Sequence, residues 1–378
     1  MRFSTPWLRL TLVPAIFCTA CGFLGGKEEA WEQLQSIQGG AEGYAYGVSA
    51  PFIGQLPAGD GGGIVVAGGC NFPDTPAAEG GKKRYYADIF RLDTATYAWR
   101  SVGRLGQPLA YGASASSPEG VICAGGTDTL GHPTDGTFLL TGDGVRRLAP
   151  LPVAMDNCAG AYLDGRFYVA GDTAFCIYDF ATDGWRRGTL WPGGGRRVQP
   201  VLIAQAGRVW LFGGYDPAGP EFVAGEGCVY DPATDKWEAV PGPVDGDGLP
   251  LLAAGGAGVA WGEDSIVCFG GVNASVFTAA LQRGRALASA PKNDSLRQAQ
   301  REYMEHEPEW YRFNDRILVF NTTTRRWSLS DAVASESARA GAGAATFVGG
   351  DGGGGVVLFN GEVKPGIRTP EVWRWCPQ

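Results

Sequence analysis

An apolar run that closes on glycine recurs six times along the chain: IVVAGG at 64–69, VICAGG at 121–126, FYVAGD at 167–172, VWLFGG at 209–214, IVCFGG at 266–271 and VVLFNG at 356–361. A unit this small cannot bury its own apolar face, so its copies must stack on one another, and the fold has to be a repeat architecture. Four of the copies are followed by an aromatic strand, a turn opening on Asp or Asn, and a tryptophan: Trp99, Trp185, Trp237 and Trp327. The second copy is degenerate, with FLLTGDGVRRL in place of that element. Composition agrees with the pattern, because 60 glycines among 378 residues, with 12 tryptophans, suit short strands joined by tight turns. The net charge of -8 argues against nucleic acid as a partner, since a polyanion is held by a positive field.

Glycine pair, turn and tryptophan in this order resemble the kelch repeat. The resemblance implies an all-β, six-bladed kelch β-propeller of four-stranded antiparallel blades, forming a single domain over residues 28–376. The glycines let neighbouring backbones approach, and the tryptophan packs between blades. Blade six lacks an outer strand of its own, because EVWRW is followed only by Cys376, Pro377 and Gln378. EEAWEQLQSIQ, residues 28–38, has a tryptophan and a strand-like alternation, and is expected to complete blade six and close the ring. GYAYGVSA, next in the chain, then reads as the inner strand of blade one.

Residues 1–21 place Arg2 and Arg9 ahead of a short apolar run and small residues, the pattern of an export signal. CTAC followed by Gly22 also resembles a bacterial lipoprotein signal cleaved before Cys21, although Cys18 stands where leucine is usual. The expectation is an exported protein, periplasmic or anchored to the outer membrane through a lipid on Cys21. Cys123 and Cys268 sit inside apolar runs and read as small buried hydrophobes, while disulfide pairing is open. After Cys21 there is no CxxC spacing, and the chain has only His132 and His306, so neither a metal nor a cofactor is expected. A copper oxidase resembling the galactose oxidases would want paired histidines and tyrosines, and is disfavoured on the same count.

In an antiparallel blade the second-to-third connections all emerge on one face, together with the connections between blades. The largest second-to-third connections are 70–86 in blade one and 272–314 in blade five; blade six contributes the turn GEVKPGIR, which carries Glu362, Lys364 and Arg368. Ring closure makes these three blades neighbours, so their loops should converge around that turn. The blade-five insertion suits two short helices, the second capped by Asn293 or Asp294, and reads as a cover. Glu302, Glu305, His306, Glu307 and Glu309 read as a solvated helix surface.

NGEVKPGIRTPEVW, GGCNFPDTPAAEGGKKRYYADIF and WPGGGRRVQP, with the long insertion, resemble the sialic-acid mutarotases, the N-acetylneuraminate epimerase family, in a cyclically permuted form. The resemblance implies interconversion of the α and β anomers of N-acetylneuraminic acid, a small-molecule substrate, with Glu362 and Arg368 as the catalytic pair. The residue types suit that chemistry: a carboxyl group can shuttle the protons of ring opening and closing, and a guanidinium fork fits the sugar's carboxylate. Arg197, Asn71, Asn157 and Lys364 are candidate substrate-binding residues, with Gln199, Tyr111 and Lys82 on the same expected face. The alternative is a noncatalytic kelch propeller that binds sialylated glycans or a protein partner.

Overall fold

A computed structural model describes residues 30–219, 222–348 and 354–376. Residues 1–21, with the expected export signal and the Cys21 anchor, lie outside the described residues. Six four-stranded antiparallel sheets follow one another along the chain. Their inner strands touch in a closed circle, from Phe52–Gln55 of blade one to Gly343–Val348 of blade six and back to blade one. The expected six-bladed propeller is therefore the fold. Degenerate blade two keeps its place, because Thr137–Thr141 and Gly144–Leu148 pair normally without a tryptophan.

Each sheet buries both faces, so the apolar residues fill six layers, one between every pair of adjacent blades. Between blades one and two, for example, Val65 and Ile89 meet Val121, Cys123 and Leu140. Trp99, Trp185, Trp237 and Trp327 stand in the outer strands. Each donates its indole N–H to a carbonyl of the preceding blade, at Gln35, Ala149, Thr189 and Pro241, over 2.7 to 2.9 Å. A tryptophan is favoured there because it fills the inter-blade layer and also satisfies a carbonyl at the neighbour's edge.

Ala30–Leu34 is the outer strand of blade six, paired with Val372–Cys376 from Ala30 opposite Cys376 to Leu34 opposite Val372. The ring thus closes as expected, with a shorter strand; residues 28 and 29 lie outside the described residues. GYAYGVSA, however, is not the inner strand of blade one. Tyr44–Tyr46 is a 3-10 turn between Gly43 (φ 84°) and Gly47 (φ 89°). Tyr44 packs against Tyr86 and Phe90, with ring centroids 5.1 and 5.0 Å away. A Cβ on Gly47 would lie 2.2 Å from the Thr369 carbonyl oxygen, so the chain here is pressed against blade six; Ser49 makes an isolated bridge to Cys70, and the inner strand starts only at Phe52. Among the described residues the seven cysteines are free thiols, and Cys123 and Cys268 are buried in strands as expected.

Candidate active site

The six inner strands all begin just after a residue in the left-handed backbone region: Ala50, Tyr111, Asn157, Gln199, Gly255 and Gly341, with φ between 49° and 66°. Five backbone hydrogen bonds link them around the axis, from Tyr111 N to Ala50 O, Ala50 N to Gly341 O, Gly341 N to Gly255 O, Gly255 N to Gln199 O and Gln199 N to Asn157 O. The ring surrounds an axial cavity of about 170 Å³. Glycine takes this conformation freely, whereas Tyr111, Asn157 and Gln199 hold it against the sterics of a Cβ and gain a side chain at the mouth of the channel.

The charged turn opens onto the same face. It is a hairpin, Glu362–Lys364 paired with Ile367–Arg368, in which Glu362 stands directly opposite Arg368. Directly opposed residues of an antiparallel pair project on one side, which is why the acid and the base are fixed together. Glu362 Oε2 lies 2.9 Å from Arg368 Nη2; the glutamate side chain is 24% exposed and the arginine side chain 3%. Backbone bonds from Glu362 N to Ala340 O, Ala340 N to Glu362 O and Gly361 N to Val48 O stitch the hairpin to its surroundings. Arg368 Nε donates to Ser49 Oγ at 3.0 Å, and its guanidinium lies 5.1 Å from the Phe72 ring centroid. Nη1 is buried and meets no hydrogen-bond acceptor. Burial opposes the charge on Arg368, but Glu362 and then Tyr111 and Cys70 outweigh it and raise its pKa, so the site keeps a fixed positive charge.

The blade-five insertion folds as two helices, α1 (Ala274–Ser289) and α2 (Asp294–Glu305), with Asn273 and Asn293 accepting the capping bonds from Val276 N and Leu296 N. α2 reaches the blade-one loop at Ala77–Glu79, and Lys364 Nζ donates to the His306 carbonyl at 2.8 Å. Gly366 turns the hairpin at φ 84° directly under Ala77, where a Cβ would come within 2.5 Å of that side chain. The loops of blades five, six and one therefore converge as expected. Beneath the cover is a cavity of about 140 Å³ in which Glu362 faces Tyr303, Tyr311, Phe277 and Phe313. Burial and the neighbouring Tyr311 push the Tyr303 phenol up to about 12, with Glu362 adding to the shift, so this aromatic wall stays neutral. His306 stacks on Trp310 at 3.9 Å.

The remaining candidates divide. Asn157 Oδ1 accepts from Gln199 Nε2 at 3.0 Å, and both residues line the axial cavity. Asn71 is a brace: its amide donates to the Gly43 and Gly47 carbonyls and accepts from Tyr86 OH. Arg197 is turned into blade four, where it donates to the Gly213 and Glu226 carbonyls at 2.9 and 3.0 Å. Lys364 holds the cover. Lys82 is exposed, and its neighbour Lys83 is the lysine that enters the site, donating to Tyr111 OH at 3.0 Å. Ser49, Phe72, Lys83, Tyr303 and Tyr311 were not singled out by the sequence. Lys82 and Lys83 both lie just ahead of the short strand Arg84–Tyr85, so no strand alternation assigns them a side from the sequence.

Fold and site together define a kelch-type β-propeller with an acid–guanidinium pair where its longest loops meet. The family model for N-acetylneuraminate epimerase matches residues 148–376, and the chain belongs to that family. It is 31% identical over 230 residues to the N-acetylneuraminate epimerase of Haemophilus influenzae (strain PittEE), covering 59% of this chain and 57% of the relative. It is 29% identical over 249 residues to that of Yersinia enterocolitica, covering 63% and 59%. The solved structure of YjhT superposes with a TM-score of 0.50 at 26% identity, over 61% of this chain and 67% of that one. The chain thus matches a little under three fifths of the length of these curated relatives.

Proposed function

We propose that the protein interconverts the α and β anomers of N-acetylneuraminic acid. The observation that carries this reading is Arg368: its guanidinium is almost wholly buried, paired to Glu362 through Nη2 and to Ser49 through Nε, with Nη1 left without an acceptor. A buried N–H without a partner is costly, and a carboxylate brought by a ligand satisfies it. A sugar acid offers that carboxylate beside its anomeric carbon. Glu362, more exposed and held at the same guanidinium, then takes the proton of the anomeric hydroxyl as the ring C–O bond breaks. The open-chain keto acid turns its carbonyl, the ring closes on the other face, and Glu362 returns the proton. Family membership supports the same substrate class. The cavity that Glu362 lines, about 140 Å³, is smaller than the 300 Å³ or more typical of ligand pockets, and Arg368 lines a larger one of about 1160 Å³, so a sugar that reaches both residues requires the α1–α2 cover to shift. Residues 1–21 as an export signal, with a lipid on Cys21, belong to the same reading; the mass of the mature chain tests them.

The test is time-resolved proton NMR of freshly dissolved N-acetylneuraminic acid, set beside its methyl ester and a neutral hexose. Rapid approach to anomeric equilibrium for the free acid alone is the expected result. A protein that binds the acid without speeding the exchange is a noncatalytic sialic-acid lectin, and the reading fails.

A further inference from the structure

Ring opening needs two proton movements, and Glu362 accounts for one: the ring oxygen must also gain a proton as it leaves the anomeric carbon. Tyr111 lines the axial cavity and interacts electrostatically with both Arg368 and Glu362; it holds the left-handed conformation shared by all six inner-strand starts, at φ 63°, and is the one of the six that brings a phenol there. Its hydroxyl accepts from Lys83 Nζ at 3.0 Å, and Lys83 lies 4.7 Å from its ring centroid and 5.9 Å from that of Phe72. Arg368 covers Phe72 as well, at 5.1 Å, so Lys83 and Arg368 form a two-cation cradle around one aromatic ring. Arg368 and Glu362 both act electrostatically on the Tyr111 phenol.

Resting on the epimerase reading, we propose that Tyr111, backed by Lys83, is the acid that protonates the ring oxygen. A phenol has one proton to donate and two lone pairs to accept with, whereas an ammonium and a guanidinium can only donate. Lys83 therefore occupies a lone pair of the Tyr111 oxygen, and the phenol proton, which has the buried Cys70 thiol within reach, turns to the ring oxygen of a bound sugar. In the forward step the anomeric O–H proton passes to Glu362, the ring C–O bond breaks with its electron pair on the ring oxygen, and that oxygen takes the Tyr111 proton. The resulting phenolate is held by Lys83 and Arg368. In closure it recovers the proton from the chain hydroxyl as that hydroxyl attacks the carbonyl, and Glu362 protonates the new anomeric oxygen, so no atom or electron is gained or lost. Burial, with Cys70 adding to it, holds the phenol well above its ordinary pKa, so it carries its proton at neutral pH. Tyr111 and Lys83 lie outside the segment 148–376 that matches the family model, and only ring closure brings them to Glu362.

Wild type, Tyr111→Phe, Lys83→Met and Lys83→Arg are compared in the NMR exchange assay, with melting temperatures as a control for folding. The expected result is a loss of kcat of ~10²-fold or more in Tyr111→Phe with KM changed less than about threefold, the size of a general-acid contribution. Lys83→Met should lose about tenfold in kcat, and Lys83→Arg, which still donates to the phenol, should recover most of it. A folded Tyr111→Phe with kcat within about threefold of an active wild type overturns this step and leaves the epimerase reading standing. If Tyr111→Phe does not fold, equal rates in Lys83→Met and Lys83→Arg overturn it instead. A wild type that does not accelerate exchange overturns the parent reading, and this step with it.

Discussion

Arg368 is held on several sides at once: Glu362 at Nη2, Ser49 at Nε and the Phe72 face beneath the guanidinium plane. Lysine has the charge but not the fork, and cannot serve Glu362, Ser49 and a ligand carboxylate together. Arg368→Lys should therefore lower kcat/KM by roughly 10- to 100-fold, equivalent to losing one or two charge-assisted hydrogen bonds, while the protein still folds. A steady-state comparison with wild type checks it, and an unchanged kcat/KM would contradict the role assigned to the fork. Glu362 and Arg368 were legible in the sequence because they share one short motif whose glycines and proline announce a turn. Arg197 was not, since nothing in GRRVQP says which way a guanidinium points; the Gly213 and Glu226 carbonyls that claim it are distant in sequence. Lys83 was missed for a different reason: it and Lys82 are the same residue type in the irregular stretch just before the strand Arg84–Tyr85, and only the folded loop separates the one bonded to Tyr111 from the exposed one.

Among the elements, the hairpin and the α1–α2 cover are joined by the bond from Lys364 Nζ to the His306 carbonyl. Removing it in Lys364→Ala should free the end of α2, raising KM by roughly three- to tenfold with a smaller effect on kcat, and speeding hydrogen exchange of the α2 amides. A change in KM with α2 exchange unaltered would instead make Lys364 a direct ligand contact. The blade turns carry their own pH signature. Asp93 accepts from Thr96 N and Ala95 N, and Asp183 and Asp235 accept from the Tyr178 and Tyr230 hydroxyls; these bonds hold all three carboxyls below their ordinary pKa. A depressed folded pKa means the unfolded chain binds more protons, so their stabilisation is complete above the ordinary aspartate value of about 3.9 and is lost as pH falls through the lower folded values. Thermal melts from pH 5 downward should show Asp235→Asn losing less stability with acid than wild type does; parallel curves would contradict the assignment. The two helices of the insertion were legible, the second with its cap at Asn293, whereas the 3-10 turn at Tyr44–Tyr46 was not. A strand-like alternation of tyrosines there is overridden by two left-handed glycines and by contact with the backbone of blade six.

For the whole molecule, the repeat predicted the blade count and the closing strand because both follow from burying six equivalent faces without leaving an edge. Closure puts Ala30 directly opposite Cys376, so a short hairpin loop can join them without disturbing either strand. A circular permutant that links these positions and opens the ring between blades two and three should fold to the same propeller. It should also keep its anomerisation rate within about threefold if the cut is made at exposed Pro152, leaving the buried Leu151 and Met155 of that connection in their layer. Loss of fold in that permutant would mean that blade order matters beyond adjacency. The family model matches residues 148–376, about three fifths of the chain, although the fold here is a full ring of six blades. The ring matters for function because it sets Lys83 and Tyr111, from blades one and two, beside a hairpin some 250 residues later in the chain. The most direct measurement of the central claim is the anomeric exchange rate of N-acetylneuraminic acid, followed by proton NMR with wild type and Glu362→Gln at equal concentration. Glu362→Gln keeps the shape of the side chain and removes its proton chemistry, so it should slow the catalysed exchange by ~10² to 10⁴-fold in a protein that still folds, with a lower melting temperature because the buried Arg368 loses its charge partner; exchange in Glu362→Gln as fast as in wild type would contradict the role of Glu362.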